Sequence, residues 1–249
     1  MSTKELEGRV ALVTGGGRNI GRAISMSLAD AGAAVIVGYR SSRGEADDAV
    51  AEIVGRGGKA LAYGADVSDE EAVRAMVAAG VKQFGQLDIL VNNAAVRDVT
   101  KIDEIDLATW RYVTGIILDG AFICSKCCLT PLRKSSQGTI INIGGMSGHT
   151  GAAGRPHVIA AKLGLVGLTR GLAHDLAPDG ITVNCVVPGL IDTQRGDSSG
   201  AKSAHKSVSL LGRRGTSEEV AATVRHLAGP NARYVTGQDW HVNGGAYLG

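Results

Sequence analysis

Short apolar runs alternate along the chain with longer segments in which apolar residues recur at helical spacing. Strands are predicted over residues 9–14, 34–39, 59–63, 87–92, 138–143, 181–186 and 238–242. Helices are predicted over residues 19–31, 45–56, 69–84, 107–132, 155–176 and 217–227. Because strand and helix alternate throughout, the pattern predicts a parallel sheet of seven strands with helices on both faces, which is a doubly wound α/β fold.

The chain has 249 residues, which suits a single large domain over 1–249 better than two domains. One segment of this domain departs from the alternation of strands and helices. Residues 194–206 follow the sixth predicted strand and are rich in Ser, Gly, Lys and Asp. Ligands bind outside the carboxyl ends of the strands in such sheets, so we interpret 194–206 as a mobile lid over a substrate site. A surface insertion without a role is the alternative.

Composition and charge exclude several classes of protein. Hydrophobic residues make up 44% and charged residues 20% of the chain, which excludes disorder, collagen and coiled coil. The net charge is +2 without a basic block, so we expect a small-molecule substrate and no nucleic acid. The first long apolar stretch, 10–13, is too short for a signal peptide or a membrane span. We therefore expect a soluble cytoplasmic protein that binds no membrane. The four cysteines lack the spacing of a disulfide framework or a zinc site, so no metal is expected.

A glycine-rich turn connects the first predicted strand to the first predicted helix. The turn and the helix start consist of Thr14, Gly15, Gly16, Gly17, Arg18, Asn19, Ile20 and Gly21. Backbone amides and the dipole at a helix start bind a pyrophosphate, so this context predicts a Rossmann-type dinucleotide site. Any tight connection between a strand and a helix also favours glycine, and the turn alone is therefore weak evidence.

The end of the second predicted strand indicates which dinucleotide is bound. A site that prefers NAD holds an acidic residue there, roughly 20 residues after the turn. Here the strand ends at Tyr39 and Arg40. Arg40, together with Arg18 in the turn, can bind a 2′-phosphate through charge-assisted hydrogen bonds. The sequence thus favours NADP(H), whereas two merely solvated arginines are the alternative.

Further motifs in matching order resemble those of the short-chain dehydrogenase/reductase family, and the resemblance runs from about residue 9 to the carboxyl terminus. These motifs are Asp66-Val67, Asn92-Asn93-Ala94-Ala95 and Pro188-Gly189-Leu190-Ile191-Asp192-Thr193. The resemblance implies a cofactor site formed by Gly15, Gly17, Arg18, Asn19, Ile20, Gly21, Tyr39, Arg40, Asp66, Val67, Asn93, Ala94, Ala95, Lys162, Pro188, Gly189, Ile191 and Thr193. In this family the residues at Asp66 and Val67 contact adenine, and those at Ile191 and Thr193 contact the nicotinamide carboxamide.

Two residues depart from the cofactor motifs of the family. Asn19 replaces the second glycine of the turn, and Ala95 replaces the glycine of the Asn-Asn-Ala-Gly motif. Asn tolerates left-handed backbone better than most residues, so we expect Asn19 to preserve the turn. Ala95 adds one methyl group, which we expect to narrow the floor of the nicotinamide pocket.

The catalytic motif departs further. Family members reduce carbonyls with an Asn-Ser-Tyr-Lys tetrad, in which Tyr donates the proton. The Tyr-x-x-x-Lys motif maps to 158–162, because the sequence that follows fixes the register. Val158 then occupies the Tyr position, Gly145 the Ser position and Ile117 the Asn position, and Lys162 alone is retained. A positioned acid contributes roughly 10²–10⁴-fold, so efficient carbonyl reduction is not expected.

Nearby polar residues offer an alternative source of the proton. Ser147, His149 and His157 lie around the same predicted loop and helix start, and a histidine can act as an acid near neutral pH. Ser147 and His149 could equally stabilise the turn. His157 precedes Val158 on the helix and should point roughly 100° away from the face that carries Lys162.

Three functions remain open at the level of sequence. The first is an NADP(H)-dependent oxidoreductase whose substrate, an imine, conjugated alkene or carbonyl, does not need the missing phenol. The second is a catalytically silent NADP(H)-binding protein that acts as a sensor or partner subunit. The third is a lyase or isomerase that keeps the nucleotide as a structural element. Because the cofactor half of the motif set is retained, we favour the oxidoreductase.

The resemblance also implies a homotetramer or homodimer. The helices predicted over 107–132 and 155–176 would pair across a two-fold interface. Ala161, Gly164 and Gly167 would permit close approach of the paired helices, although packing within one chain would explain these small residues equally well.

Overall fold

The sheet consists of parallel strands separated by helices, as the alternation predicts. The computed structural model describes residues 4–193 and 209–249, and the predicted lid over 194–206 lies outside the described residues. The described strands are β1 (Val10–Thr14), β2 (Ala34–Tyr39), β3 (Lys59–Gly64), β4 (Ile89–Asn92), β5 (Thr139–Ile143), β6 (Thr182–Pro188) and β7 (Asp239–Val242). The described α-helices are α1 (Asn19–Asp30), α2 (Arg43–Gly55), α3 (Glu70–Phe84), α4 (Leu107–Thr114), α5 (Gly120–Lys134), α6 (Ser147–Thr150), α7 (Pro156–Leu176) and α8 (Ser217–Ala228).

The strand order places a ligand crevice beside β1. Across the sheet the order is β3-β2-β1-β4-β5-β6-β7, and every neighbouring pair is parallel. This confirms the predicted doubly wound sheet of Rossmann type. The chain builds outward from β1 in one direction through β3 and then in the other direction from β4. A crevice therefore opens between the carboxyl ends of β1 and β4, where ligands bind in such sheets.

Helices bury both faces of the sheet, which explains why the central strands read as continuous apolar runs. On one face, α1, α2 and α8 pack over the strands through side chains such as Ile24, Ile53 and Val224. On the other face, α3, α5 and α7 pack through side chains such as Met76 and Leu132. Three cysteines also belong to this buried interior. Cys124, Cys128 and Cys185 are free and buried, and burial raises the pKa of each thiol.

A buried polar network connects the middle of the sheet to the helices of the second face. Asn92 Nδ2 at the end of β4 donates to Asn142 Oδ1 on β5 at 2.9 Å. Asn142 Nδ2 in turn donates to the Thr169 hydroxyl on α7 at 2.9 Å. Asn92 Nδ2 also lies 3.2 Å from the hydroxyl of Ser125 on α5. Because buried amides are costly when unpaired, this network fixes α5 and α7 against the carboxyl end of the sheet.

The prediction of one unbroken α-helix over 107–132 is wrong. A π-helical turn, Gly115–Asp119, separates α4 from α5. Gly120 directly follows this turn and packs against the loop after β3. A Cβ atom at position 120 would lie only 2.7 Å from Val67 Cγ2. A single inserted residue leaves the apolar periodicity almost unchanged, so the pattern did not reveal it. The short helix α6 was not predicted, and every other predicted bound lies within two residues of the observed one.

The stretch Leu107–Lys134 is, among the described residues, long and apolar enough to cross a membrane by length and composition alone. The core helix of a globular protein meets the same criterion. Here 44% of its most apolar window is buried inside the protein, and Cys124, Cys128 and Leu132 on this stretch belong to the core.

We predict that Asn142→Leu lowers the free energy of unfolding by about 2 kcal/mol, because it removes two hydrogen bonds and leaves a buried amide and hydroxyl short of partners. Ile141→Val on the same strand is the matched control and should cost about 1 kcal/mol. Urea denaturation at equal protein concentrations measures both values. A cost for Asn142→Leu no greater than that of the control would contradict the role given to the network.

Candidate functional site

The glycine turn forms a tight cradle at the start of α1. Asn19 has a φ of 50°, so it adopts the left-handed backbone expected of the residue that replaces a glycine. Gly15 has a φ of 62°, and a Cβ at Gly21 would lie 2.0 Å from the Gly15 carbonyl oxygen. Arg18 at the N-cap makes no side-chain capping bond to the helix. The first amides of α1 are thus available to a pyrophosphate.

Asn93 connects the end of β4 to this cradle. Its Nδ2 donates to the carbonyl oxygens of Thr14 at 2.9 Å and Gly15 at 3.0 Å. The Thr14 hydroxyl accepts from the backbone amides of Asn93 and Ala94, both at 3.0 Å. The crevice between β1 and β4 is therefore shaped by hydrogen bonds before any ligand binds. Thr14 positions the loop after β4, a role that the sequence analysis did not assign to it. The hydroxyl that accepts these two bonds explains why a threonine ends β1.

Arg40 lies at the carboxyl end of β2, and its side chain is 43% exposed. Its Nη2 donates to the Tyr112 hydroxyl on α4 at 2.7 Å, and its Nη1 lies 3.7 Å from Asp66 Oδ2. Asp66 also accepts from the amide and hydroxyl of Ser68, at 2.9 and 2.7 Å. The structure thus brings together Arg40 and Asp66, two of the residues expected at the cofactor site, and it adds Tyr112. No sequence motif pointed to Tyr112, because it lies 72 residues from Arg40 along the chain.

Lys162 on α7 points toward the carboxyl end of β5, where its Nζ donates to the Ile143 carbonyl oxygen. The pKa of this ammonium is lowered from 10.5 to about 8, chiefly by burial and to a smaller extent by the charge of Arg97. Arg97 comes from the loop after β4 and donates to the Thr193 hydroxyl at 3.4 Å. Two cationic groups therefore border this part of the pocket, which favours negative charge on a bound substrate.

The residues that the sequence analysis assigns to the Asn, Ser and Tyr positions of the tetrad bring no polar side chain to the neighbourhood of Lys162. A Cβ at Gly145 would meet Lys162 Cγ at 3.8 Å and nothing closer, so Gly145 lies beside the lysine with space for a side chain. Val158 lies one helical turn before Lys162 on α7. Val158 and Ile117 are both buried and belong to one apolar cluster with Leu165. The register predicted from sequence is consistent with this arrangement, and Ile117 lies within the π-helical turn.

His157, one of the three alternative proton donors, contacts Asp98. His157 is fully buried, and its Nε2 lies 3.1 Å from Asp98 Oδ2 in the loop after β4. The hydrogen bonds from His157 and Thr100 lower the pKa of Asp98, with the Thr100 bond the larger cause. Nδ1 of His157 is buried and has no hydrogen-bond partner in the described part of the chain. His157 thus anchors the loop after β4 to the start of α7.

Ser147 and His149 lie on the short helix α6. Ser147 is partly exposed at its first position. The ring centroid of His149 lies 4.8 Å from that of His241 on β7 and 5.4 Å from that of Tyr247 near the carboxyl terminus. Burial, and secondarily the charge of His149, lowers the pKa of His241. This ring cluster was not predicted, because its members are far apart in sequence. Across residues 4–193 and 209–249, no group of three His, Cys, Asp or Glu side chains could hold a metal ion.

The segment after β6 closes the site from the other side. Pro188 ends β6, and the Gly189 amide donates to the Val242 carbonyl oxygen at 2.9 Å. Ile191 is buried and forms an isolated parallel bridge with Gly215. Thr193 is the last described residue before the gap. The residues expected to contact a nicotinamide therefore lie on a segment that is held by β7 at Gly189 and by Gly215 at Ile191.

Comparison with known proteins gives consistent matches over nearly the whole chain. A family model described as enoyl-(acyl carrier protein) reductase matches residues 15–247. A 3-oxoacyl-(acyl-carrier-protein) reductase from Synechocystis sp. is 39% identical over 244 residues, which is 98% of each chain. A short-chain dehydrogenase from Burkholderia cenocepacia, solved in complex with NADP, is 36% identical with a TM-score of 0.92, and the match covers 97% of this chain and 99% of that one. A blue fluorescent protein from a metagenomic library, solved in complex with NADPH, is 37% identical with a TM-score of 0.91 and coverage of 98% and 100%.

We predict that Gly145 and Gly21 respond in opposite ways to the same added methyl group. Gly145→Ala should leave the unfolding free energy unchanged or raise it by up to about 1 kcal/mol, because the site has space and the unfolded chain loses freedom. Gly21→Ala should cost at least about 2 kcal/mol, because the methyl group overlaps the Gly15 carbonyl. Urea denaturation measures both. If Gly145→Ala proves as damaging as Gly21→Ala, the pocket beside Lys162 is not open.

Proposed function

The chain belongs to the short-chain dehydrogenase/reductase family, and from this premise we propose that it is an NADP(H)-dependent oxidoreductase of a small organic substrate, with an active site that lacks the usual Ser and Tyr. One observation carries the proposal. The half of the site that would hold the cofactor keeps its cradle, its arginine and its lysine, whereas the substrate half is apolar.

The residues present fit an NADP(H) molecule. The start of α1 has no side-chain cap, and a Cβ at Gly21 would collide with the Gly15 carbonyl, so the backbone amides there suit a pyrophosphate. Arg40 offers a cation at the end of β2, where a 2′-phosphate would lie. Lys162 would bind the nicotinamide ribose, and Thr193 the carboxamide, as in the family. NADPH would supply a hydride when bound. Two solved relatives hold NADP or NADPH, which supports this choice of cofactor.

The apolar pocket restricts the chemistry that this chain can assist. Val158 and Ile117 cannot donate a proton, so an alkoxide formed from a simple ketone would find no neighbouring acid at those positions. Lys162 and Arg97 favour a substrate that accumulates negative charge on an oxygen. A conjugated carbonyl compound does so as an enolate, and water can protonate its carbon afterwards. We therefore place conjugated alkenes ahead of cyclic imines and ordinary carbonyls as substrates, since a cationic iminium would be repelled here.

A catalytically silent NADP(H)-binding protein is the second candidate. The observation that favours it is the burial of Ile117 and Val158 in one cluster with Leu165, which uses two former catalytic positions as packing. Ser147 and His157 are weaker candidates for a replacement acid. His157 is already engaged by Asp98.

We also propose an assembly and a location for the protein. Phe122 on α5 and Leu163 on α7 are 49% and 46% exposed, so pairing of these helices in a homotetramer or homodimer would cover them. A Cβ at Gly164 would meet Leu118 Cδ2 at 2.8 Å, so packing within the chain already accounts for this glycine. We place the protein in the cytoplasm.

The proposal predicts that the protein oxidises NADPH with at least one conjugated carbonyl compound and does so faster than with cyclic imines or saturated ketones. The measurement is the loss of NADPH absorbance across a panel of the three classes, together with a binding titration of NADPH. Tight binding without oxidation in any class would support the silent protein instead. Failure to bind NADPH would contradict both candidates.

The assignment of the empty tetrad positions predicts that the triple substitution Ile117→Asn, Gly145→Ser and Val158→Tyr raises the rate of ketone reduction by at least about 100-fold, because it restores a positioned acid. The matched control carries Phe instead of Tyr at position 158, which adds the same ring without the hydroxyl. Steady-state kinetics with a saturated ketone and NADPH compares the two. Equal rates in both variants would show that the register is wrong or that the pocket cannot orient the phenol.

A further inference from the structure

We infer that Tyr112 is a positioning residue for Arg40, and that it sets the preference of the nucleotide site for a 2′-phosphate. The inference rests on the proposed function, because it concerns the same NADP(H) site. It assigns a role to a residue of α4 that no motif of the site includes.

The geometry of the contact is specific. The Tyr112 hydroxyl accepts from Arg40 Nη2 at 2.7 Å, and the centre of the guanidinium lies 5.5 Å from the centroid of the Tyr112 ring. The same side chain therefore both accepts a hydrogen bond from the arginine and lies close to its cation. Asp106 caps the helix that carries Tyr112 by accepting from the Thr109 amide at 2.7 Å, which fixes the start of α4.

Charge explains why a phenol suits this position. A second carboxylate at position 112, in addition to Asp66, would further neutralise the guanidinium and repel a phosphate. The phenol is neutral, so it restrains the long arginine side chain and leaves its positive charge available to an anion. The Tyr112 hydrogen bond is also the largest cause of the raised pKa of Arg40.

Asp66 is the neighbour that would compete with a 2′-phosphate for the Arg40 guanidinium. Its carboxylate lies 3.7 Å from Arg40 Nη1, longer than a hydrogen bond, while its other oxygen is engaged by Ser68. Asp66 and Tyr112 thus contact different ends of the guanidinium. The hydrogen bond from Nη2 to Tyr112 restrains the Arg40 side chain. A 2′-phosphate that binds the guanidinium then has to compete only with the longer contact between Nη1 and Asp66. Without the hydroxyl, Arg40 is free to turn toward Asp66, and the phosphate loses part of its partner.

The test uses the whole protein and two nucleotides that differ only in the 2′-phosphate, adenosine 2′,5′-bisphosphate and adenosine 5′-monophosphate. Calorimetric titration should show that Tyr112→Phe weakens binding of the bisphosphate by about two- to fivefold, the range for an exposed charged contact, and leaves the monophosphate unchanged. Arg40→Ala should weaken the bisphosphate by about tenfold or more. The double variant should bind like Arg40→Ala alone, because Tyr112 acts through Arg40.

Matched controls come from the same chain. Tyr234→Phe removes a hydroxyl from a fully exposed tyrosine, and Arg133→Ala removes an arginine whose side chain is 52% exposed and forms an ion pair with Asp179 at 2.7 Å. Neither should change the affinity ratio of the two nucleotides.

Three outcomes would overturn the inference while leaving the proposed function intact. These are an unchanged ratio in Tyr112→Phe, an equal loss for both nucleotides, and full additivity with Arg40→Ala. If the unsubstituted protein fails to bind NADPH and prefers neither adenosine nucleotide, the proposed function fails as well. The ratio of the two nucleotide affinities therefore tests the role of Tyr112, and the binding of NADPH tests the proposed function.

Discussion

The burial of the Lys162 ammonium among apolar neighbours is the constraint from which the chemistry of this site follows. Its hydrogen bond is to the backbone carbonyl of Ile143, and burial lowers its pKa to about 8. A phenol at position 158 would lie one helical turn away, where the charge of the ammonium would lower the pKa of the phenol. Val158 has no group to ionise. The lysine is left as a cation that can bind a hydroxyl or stabilise an anion, in a pocket where positions 117 and 158 offer no proton.

The two halves of the site are maintained by different kinds of interaction. The cofactor half depends on backbone geometry and short polar contacts, from the left-handed Asn19 to the bonds between Asn93 and Thr14. These features tolerate few side chains, and the chain keeps them although Asn19 and Ala95 replace glycines of the family motifs. The substrate half depends on packing, since Ile117 and Val158 share an apolar cluster with Leu165. A chain can therefore change its acid-base chemistry there without loosening the fold or the nucleotide cradle.

Much of the fold was predictable, because buried parallel strands and amphipathic helices leave strong periodic patterns. The glycine turn and the end of β2 were predictable for a related reason, as both are local in sequence and demand particular residue types. The π-helical turn at Ile117 was not, since one inserted residue hardly alters the periodicity. Tyr112 and the contact between His149 and His241 were also missed, because each joins side chains that are distant in sequence and leaves no local pattern.

A crystal structure of the protein with bound NADP⁺ would test the central claim most directly. The account predicts the Lys162 ammonium within hydrogen-bond distance of the nicotinamide ribose, the 2′-phosphate on Arg40, and the side chains of Val158 and Ile117 on the substrate side of the ring. A tyrosine hydroxyl or histidine nitrogen beside Lys162 and in contact with that side of the ring would contradict it, because the pocket would then contain the proton donor that we hold to be missing.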